Sequence, residues 1–215
     1  GAILATPVKI PLDFKLIGDP TAMLEAAYPA YDGVLVRLYY NPEGEKWCLA
    51  TNGSLNPYEY PASDTCPKSF GQMFEECGGP INGQGLDKDC CYYFMMVHKE
   101  YPMVVRYPEN KVLLQRVVNR ESLTVLTPVP LLPNIERIEQ LKEPVVELFT
   151  KSLAAANESV AHPLNETDPT VKPDQVGIVF HLRDGHTFRM NTARFMAAAT
   201  LRGNMYNYES FRTQW

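Results

Sequence analysis

The feature that most constrains the fold is a pair of apolar segments separated by a short turn. The first segment, residues 29–40, is rich in β-branched and aromatic residues and opens with Asp32-Gly33, and the second is residues 47–54. Residues 41–44 between them read Asn-Pro-Glu-Gly, a composition that favours chain reversal. Strand-forming residues on both sides of a turn indicate a β-hairpin. The sequence therefore predicts a hairpin with an Asp-Gly turn at its entrance.

Composition and charge exclude several classes of protein. Of 215 residues, 45% are apolar and 21% are charged, which is ordinary for a globular protein large enough to bury a core. No apolar run approaches the length of a membrane span and no leader-like segment begins the chain, so we expect a soluble protein without a membrane partner. A net charge of −5 argues against an extensive basic surface for nucleic acid, although a local basic groove is compatible with it.

The cysteines indicate a reducing compartment. They form an odd set without a Cys-x-x-Cys pair and without histidines at zinc-finger spacing: Cys48, Cys66, Cys77, Cys90 and Cys91. We expect free thiols in an intracellular, cytoplasmic protein, in which the glycosylation sequons at Asn52, Asn157 and Asn165 have no function. We expect His98 and His162 at the surface, and His181 and His186 beside an Asp-Gly hairpin turn, rather than in a metal site.

Periodicity and turn residues predict the other elements. The predicted helices are Thr21–Tyr28, Lys68–Cys77, Asn134–Asn157 with a kink at Pro144, and Thr192–Arg202. The predicted strands after the hairpin are Cys91–Val97, Met103–Tyr107, Val112–Val118 and Val176–Phe180. Residues 158–175, which contain three prolines, are predicted to be a surface linker.

Five short motifs follow one another along the chain. They are Ala30-Tyr31-Asp32-Gly33, Thr51-Asn52-Gly53, Phe94-Met95-Met96-Val97, Val176-Gly177-Ile178-Val179 and Arg189-Met190-Asn191. Their order and spacing resemble the RNA ligase branch of the covalent nucleotidyltransferases over about residues 24–204. The resemblance implies an α+β fold with two packed antiparallel β-sheets flanked by helices. It also implies one adenylation domain over residues 1–215, ending in an aromatic tail at 205–215.

The resemblance further implies that the motif positions have lost their chemistry. In the family a lysine attacks the α-phosphorus of ATP, glutamates contact the ribose and the divalent metal, and basic residues hold the phosphates. The positions that differ from the family are Ala30 at the nucleophile, Asn52, Met95 at the ribose-side glutamate, Val176 at the metal-side glutamate, and Asn191 at the final lysine. Asp32, Gly33 and Arg189 keep family character and are candidates for residual nucleotide binding.

We therefore expect a pseudoenzyme, an inactive ligase-like domain with a binding or structural role in a larger assembly of protein partners. No catalytic residue, metal or cofactor is expected. A viral origin, with the chain cut from a precursor and located in the virion, would suit such a reused domain. The aromatic tail either packs on the sheet or docks onto a partner.

Two alternatives to the pseudoenzyme remain open. One is nucleotidyl transfer or RNA ligation, dependent on ATP and magnesium, with a displaced lysine from among Lys46, Lys68 and Lys99 as the nucleophile. The other is non-covalent binding of a nucleotide or an RNA end, in which case RNA is a partner.

Overall fold

The structure is a computed structural model that describes residues 20–127, 129–141, 147–150, 172–183 and 187–202. The chain divides into two compact units. The described part of the first unit is Gly33–Ile138, and the described part of the second lies within Val8–Asp32 and Glu139–Gly203. That residues 1–215 form one domain stays a prediction.

Strands outnumber helices in the described ranges. In chain order the elements are α1 (Pro20–Met23), β1 (Leu24–Ala30), β2 (Val34–Asn41), β3 (Lys46–Thr51), β4 (Pro61–Ser63), β5 (Cys66–Ser69), α2 (Phe70–Glu76), β6 (Cys90–Val97), β7 (Lys111–Asn119), β8 (Glu136–Arg137), α3 (147–150), β9 (Gly177–Leu182), β10 (Thr187–Asn191) and α4 (Ala193–Arg202). The fold class is α+β, as the sequence predicts. No helix in these ranges is long and apolar enough to span a membrane.

The first unit is built on a five-stranded sheet in the order β3-β2-β6-β7-β8. Its pairs are antiparallel except the short β7–β8 pair. Leu38 pairs with Leu49 on one side and with Tyr92 on the other, and all three side chains belong to one apolar cluster. Because side chains alternate between the faces of a strand, Arg37 and Tyr93 lie on the opposite face.

Helix α2 covers the apolar face of this sheet. Ser69 caps it, since its hydroxyl accepts from the backbone N–H of Gln72 while the Gln72 side chain accepts from the backbone N–H of Ser69. The helix ends at Glu76 with Cys77 as its C-cap, and the next residue, Gly78, has a positive φ of 81° that suits glycine. Its residue Phe74 is fully buried, with its ring centroid 5.4 Å from that of Phe94.

The second unit is built on the three-stranded sheet β1-β9-β10, which is antiparallel throughout. Ala27, Ile178 and Phe180 share its apolar face. Phe149 of α3 packs there, with its ring centroid 5.1 Å from that of Phe180. Helix α4 begins after Thr192, whose hydroxyl accepts from the backbone N–H of Phe195 at 3.2 Å.

Most predicted elements are confirmed, two are wrong and one is correct only in part. The helix predicted over Thr21–Tyr28 is one short turn followed by β1, because pairing with β9 overrides the helix propensity of Leu24–Ala27. The strand predicted over Met103–Tyr107 is absent, with bends at 103–105, since Pro102 and Pro108 bracket these residues and proline cannot donate to a sheet ladder. The helix predicted over Asn134–Asn157 is absent over 134–141, where β8 pairs with β7, and is present at 147–150. Pro144, residues 158–171, His162, His186 and the tail 205–215 lie outside the described residues.

Candidate functional site

Three of the predicted positions meet at one end of the three-stranded sheet. The last residue of β1, Ala30, pairs with Gly177, and Gly177 pairs with the last residue of β10, Asn191. The ladder continues one residue further, since the backbone N–H of Val176 donates to the carbonyl oxygen of Ala30 at 2.8 Å. Ala30 and Val176 are buried. The antiparallel register of β1, β9 and β10 therefore places residues of three motifs side by side.

The close approach of two strands explains the glycine in this row. A Cβ atom on Gly177 would lie 2.0 Å from the carbonyl oxygen of Met190, which is a backbone atom that cannot move aside. Only glycine fits there without a shift of the sheet. Gly177 is thus required by the fold, whatever chemistry its neighbours perform.

The row presents no amine and no carboxylate. Ala30 and Val176 end in methyl groups, and the Asn191 side-chain oxygen accepts a hydrogen bond of 2.7 Å from the Nε of Arg189. The Arg189 guanidinium also lies 5.4 Å from the ring centroid of Phe195. Met190 and Ile178 belong to the apolar cluster of this sheet. Because side chains alternate along a strand, the opposite face carries Arg189, Asn191 and, across the ladder, Ala30. Arg189 is therefore the cation beside this row.

The other predicted positions lie at one end of the five-stranded sheet. Gly33 precedes β2, Asn52 follows β3, and Met95 is near the end of β6, where it pairs with Leu35. A Cβ atom on Gly33 would lie 2.4 Å from the carbonyl oxygen of Met96, so this glycine also serves backbone packing. Met95 is half-buried and Asn52 is exposed in a turn closed by the backbone N–H of Thr51, which donates to Ser54 at 2.8 Å.

Asp32 lies in the bend between β1 and β2 and is buried. The structure thus groups Ala30, Val176, Arg189 and Asn191 on one sheet, and Gly33, Asn52 and Met95 at the end of the other. Their roles in binding or catalysis stay predictions.

The three lysines proposed as displaced nucleophiles differ in environment. The Lys68 Nζ lies 2.8 Å from a carboxylate oxygen of Glu76 and 2.8 Å from one of Glu100. Hydrogen bonds to Glu100 first, and then to Glu76, raise the pKa of Lys68 above its ordinary value. A nucleophilic amine must be unprotonated, so this environment opposes attack by Lys68.

Lys46 and Lys99 lie at opposite ends of the five-stranded sheet. Lys46 pairs with Asn41 at the closed end of the hairpin, five residues along β3 from Thr51. At about 3.3 Å per residue, that separates it from the Thr51 turn by roughly 16 Å. Lys99 follows β6 at the same end as Gly33 and Met95, and its backbone N–H donates to the Asn110 side chain at 3.0 Å.

His98 is buried, which corrects the prediction that it lies at the surface. Its Nε2 lies 3.0 Å from Glu76, and its Nδ1 accepts from the backbone N–H of Glu100 at 3.3 Å. Because Nδ1 accepts, the proton belongs on Nε2, which donates to Glu76. Within the described ranges, no group of three or more histidine, cysteine, aspartate or glutamate side chains is arranged to hold a metal ion.

All five cysteines are free thiols, in agreement with the sequence prediction. Burial raises the pKa of Cys77 to about 11, and burial followed by the nearby Asp87 raises that of Cys90 to about 11. Both thiols are therefore protonated at neutral pH and are poor nucleophiles.

Sequence reasoning missed a group of arginines on the five-stranded sheet. Arg37 is in the middle of β2 and Arg116 is in the middle of β7, on either side of Tyr93 in β6. Arg37 is buried, and its Nη2 donates to the carbonyl oxygen of Thr51. A single charged residue inside an otherwise apolar strand was the available signal, because such a residue is rarely buried without a partner.

Comparisons with known proteins agree with the fold. No protein-family model matches the sequence, and no curated protein matches it. Solved structures of the RNA ligase of Naegleria gruberi do match. A mutant with AMP and Mn has a TM-score of 0.51 at 12% identity, with 84% of this chain and 53% of the ligase chain covered.

Two further structures of the same ligase give a similar result. The complex with PPi has a TM-score of 0.53 at 11% identity, covering 83% of this chain and 52% of the ligase chain. A mutant with ATP and Mn has a TM-score of 0.53 at 12% identity, covering 93% and 64%. This chain thus spans between half and two thirds of the ligase chains it matches. The likeness shows that it has the nucleotidyltransferase fold of an RNA ligase.

Proposed function

We propose that this chain is a ligase-fold domain that does not transfer a nucleotide, and that it has a binding or structural role in a larger assembly. The observation that supports the proposal is the row Ala30, Gly177 and Asn191 with the adjoining Val176. In the fold to which this chain is similar, the nucleophile, a metal-side carboxylate and the final lysine would occupy Ala30, Val176 and Asn191. None of these three side chains has an amine or a carboxylate.

The loss of rate expected from the missing side chains favours complete loss of nucleotide transfer over slow transfer. A methyl group at Ala30 cannot form a phosphoramidate, so the covalent route requires another amine. Each missing electrostatic contact in the transition state costs roughly a hundredfold in rate. The ion pairs of Lys68 and the distance of Lys46 from the Thr51 turn argue against two of the three substitutes.

Intact mass spectrometry tests the proposal. The purified chain is incubated with ATP or GTP and with magnesium or manganese, and its mass is then read under denaturing conditions beside an active RNA ligase. We expect an unchanged mass for this chain and an added nucleoside monophosphate on the control. The same addition to this chain would refute the proposal, and peptide mapping would then identify the nucleophile.

A structural role has its own expected signature. A stable neighbour would bury on the order of 1,000 Å² or more in total at the interface. Protection from hydrogen exchange, compared between the isolated chain and the assembly that contains it, would locate that surface. Unchanged protection throughout the chain would argue against the structural role.

Non-covalent binding of a nucleotide or of an RNA end is the second candidate function. The buried Arg37 and the neighbouring Arg116 favour it, because guanidinium groups pair well with phosphates. This candidate predicts saturable binding that weakens as salt is added.

A further inference from the structure

The sequence contains two Asn-Gly pairs, and both lie in the first unit. They are Asn52-Gly53, directly after β3, and Asn82-Gly83, in the segment between α2 and β6. An asparagine before a glycine can lose its side-chain amide, because the backbone nitrogen of a residue without a side chain is free to reach the asparagine carbonyl. The two pairs have the same sequence and different surroundings, so the fold decides which of them reacts.

The first pair is open to solvent. Asn52 and Gly53 are both exposed, and a Cβ atom placed on Gly53 would meet nothing within 4 Å. The turn around them is closed by its outer residues, since the Thr51 N–H donates to the Ser54 carbonyl oxygen at 2.8 Å and the Ser54 N–H donates to the Thr51 hydroxyl at 3.1 Å. Among the described residues, no hydrogen bond uses the Gly53 N–H. The Gly53 nitrogen is therefore accessible and unrestrained.

The second pair is held in place at its glycine. Asn82 is exposed as well, but Gly83 is buried, and its N–H donates to the carbonyl oxygen of Pro80 at 2.9 Å. A Cβ atom placed on Gly83 would overlap the indole ring of Trp47, so this ring lies directly against the Gly83 backbone. The Gly83 nitrogen can move towards the Asn82 side chain only if it gives up both the hydrogen bond and the packing.

We propose that Asn52 is a site of spontaneous deamidation, and that the fold protects Asn82 from the same reaction. The Gly53 nitrogen loses its proton to solvent and bonds to the side-chain carbonyl carbon of Asn52. The bond from that carbon to Nδ2 breaks, ammonia leaves, and a five-membered succinimide ring remains. Water then opens the ring, so one water is consumed for each ammonia released.

The ring opens to two products that affect the turn differently. Addition of water at the side-chain carbonyl gives aspartate, which adds a negative charge and keeps the main chain as it was. Addition at the main-chain carbonyl gives isoaspartate, in which the chain passes through the former side chain and gains one carbon atom. Only isoaspartate lengthens the path between Thr51 and Ser54, so only isoaspartate disturbs the geometry of the two hydrogen bonds that close the turn.

The modification site goes beyond the proposed loss of nucleotide transfer and does not depend on it. The Asn52-Gly53 pair belongs to the first unit, whereas Ala30, Val176 and Asn191 belong to the second. Deamidation needs no nucleotide or metal, and it changes the mass only by the difference between a hydroxyl and an amino group. A nucleoside monophosphate adduct is far heavier, so the two proposals are tested separately.

Peptide mapping of the aged protein tests the site. The folded full chain is kept at mildly alkaline pH, sampled over several weeks and digested, and the deamidated fraction is measured by mass for the peptides that contain Asn52 and Asn82. We expect Asn52 to react at least about fivefold faster than Asn82, which corresponds to the one hydrogen bond that the Gly83 N–H would lose. In a sample unfolded in urea, the two rates should become similar, because the protection belongs to the fold.

Two variants assign the reaction and its consequence. Gly53→Ala should slow deamidation at Asn52 and leave Asn82 unchanged, because the added methyl group hinders ring closure but meets nothing in the fold. Asn52→Asp adds the negative charge without lengthening the chain. Hydrogen exchange at the Thr51 amide should therefore be faster in the isoaspartate product than in the original chain, and unchanged in Asn52→Asp.

Three results would overturn the site. The first is an equal rate at Asn52 and Asn82 in the folded chain, or a faster rate at Asn82. The second is an intact Asn52 in the folded chain after a synthetic peptide with the sequence of residues 50–55 has reacted fully under the same conditions. The third is an unchanged rate at Asn52 in Gly53→Ala, which would mean that the Gly53 nitrogen is not the attacking atom.

Discussion

The two sheets of this molecule differ in where they place polar and charged side chains. At the end of the three-stranded sheet, Ala30 and Val176 are apolar and Asn191 is hydrogen-bonded to Arg189. On the five-stranded sheet, the charged Arg37 is buried in the middle of β2.

The glycines are alike where the polar side chains differ. Gly177 in the smaller sheet and Gly33 in the larger one each lie against a backbone carbonyl oxygen, with no room for a Cβ atom. Glycines at motif positions can therefore be required by strand packing alone.

The largest expected effect comes from truncating the two apolar clusters. Phe94 and Phe180 are fully buried, one in each cluster. Phe94→Ala and Phe180→Ala should each lower the free energy of unfolding by about 3–5 kcal/mol. Urea unfolding with hydrogen exchange would measure both, and Phe180→Ala should deprotect β1, β9 and β10 most. Deprotection of the five-stranded sheet instead would contradict the division into two clusters.

A smaller loss is expected from adding a methyl group at the two glycines. Gly33→Ala and Gly177→Ala would force a Cβ atom to within 2.4 Å and 2.0 Å of a carbonyl oxygen. We expect each to lower the free energy of unfolding by about 1–3 kcal/mol, as for overpacked cores. Gly53→Ala is the control, because a Cβ atom there meets nothing within 4 Å. Equal melting temperatures for all three variants would remove the packing explanation.

The smallest expected effect is a pH dependence of stability that comes from two carboxyls of the first unit. Hydrogen bonds from Lys68 and then His98 lower the pKa of Glu76, and a hydrogen bond from Lys68 lowers that of Glu100. A carboxyl whose pKa is lower in the folded state stabilises that state when the pH is above the ordinary carboxyl pKa of 4.5. This stabilisation is lost as the pH falls through the lowered folded-state pKa. Melting temperatures between pH 3 and pH 7 should therefore fall on the acid side.

Glu76→Gln isolates that contribution. The variant should show a shallower acid loss than the original chain, and a small one, because both carboxyls are exposed to solvent screening. An acid loss that Glu76→Gln leaves unchanged would assign the pH dependence to other carboxyls.

Local signals made much of the fold predictable. The β-branched and aromatic residues on both sides of the turn at residues 41–44 predict β2 and β3, and the helix predicted over Lys68–Cys77 is α2. Long-range pairing was not readable in the same way. Residues 24–27 are good helix formers that become β1 because β9 pairs with them from about 150 positions away.

The candidate site was less accessible to sequence reasoning than the fold. The pairing of Gly177 with Asn191 follows from the hairpin turn predicted at Asp184-Gly185, whereas their alignment with Ala30 depends on the long-range pairing of β1 with β9. The placement of Arg37 and Arg116 on either side of Tyr93 could not be predicted, because it depends on the register of three strands. A β-bulge beside Tyr93 further shifts that register in a way that no periodicity reveals.

Restoring the amine at Ala30 tests the central claim most directly. Ala30→Lys is incubated with ATP and manganese and read by denaturing intact mass, with Ala30→Met as a control of similar size and with melting curves to show that both variants fold. We predict no added nucleoside monophosphate on either variant, because Val176 and Asn191 still lack the carboxylate and amine that would support transfer. An adduct on the restored lysine alone would contradict the account, since it would mean that one substitution separates this chain from an active enzyme.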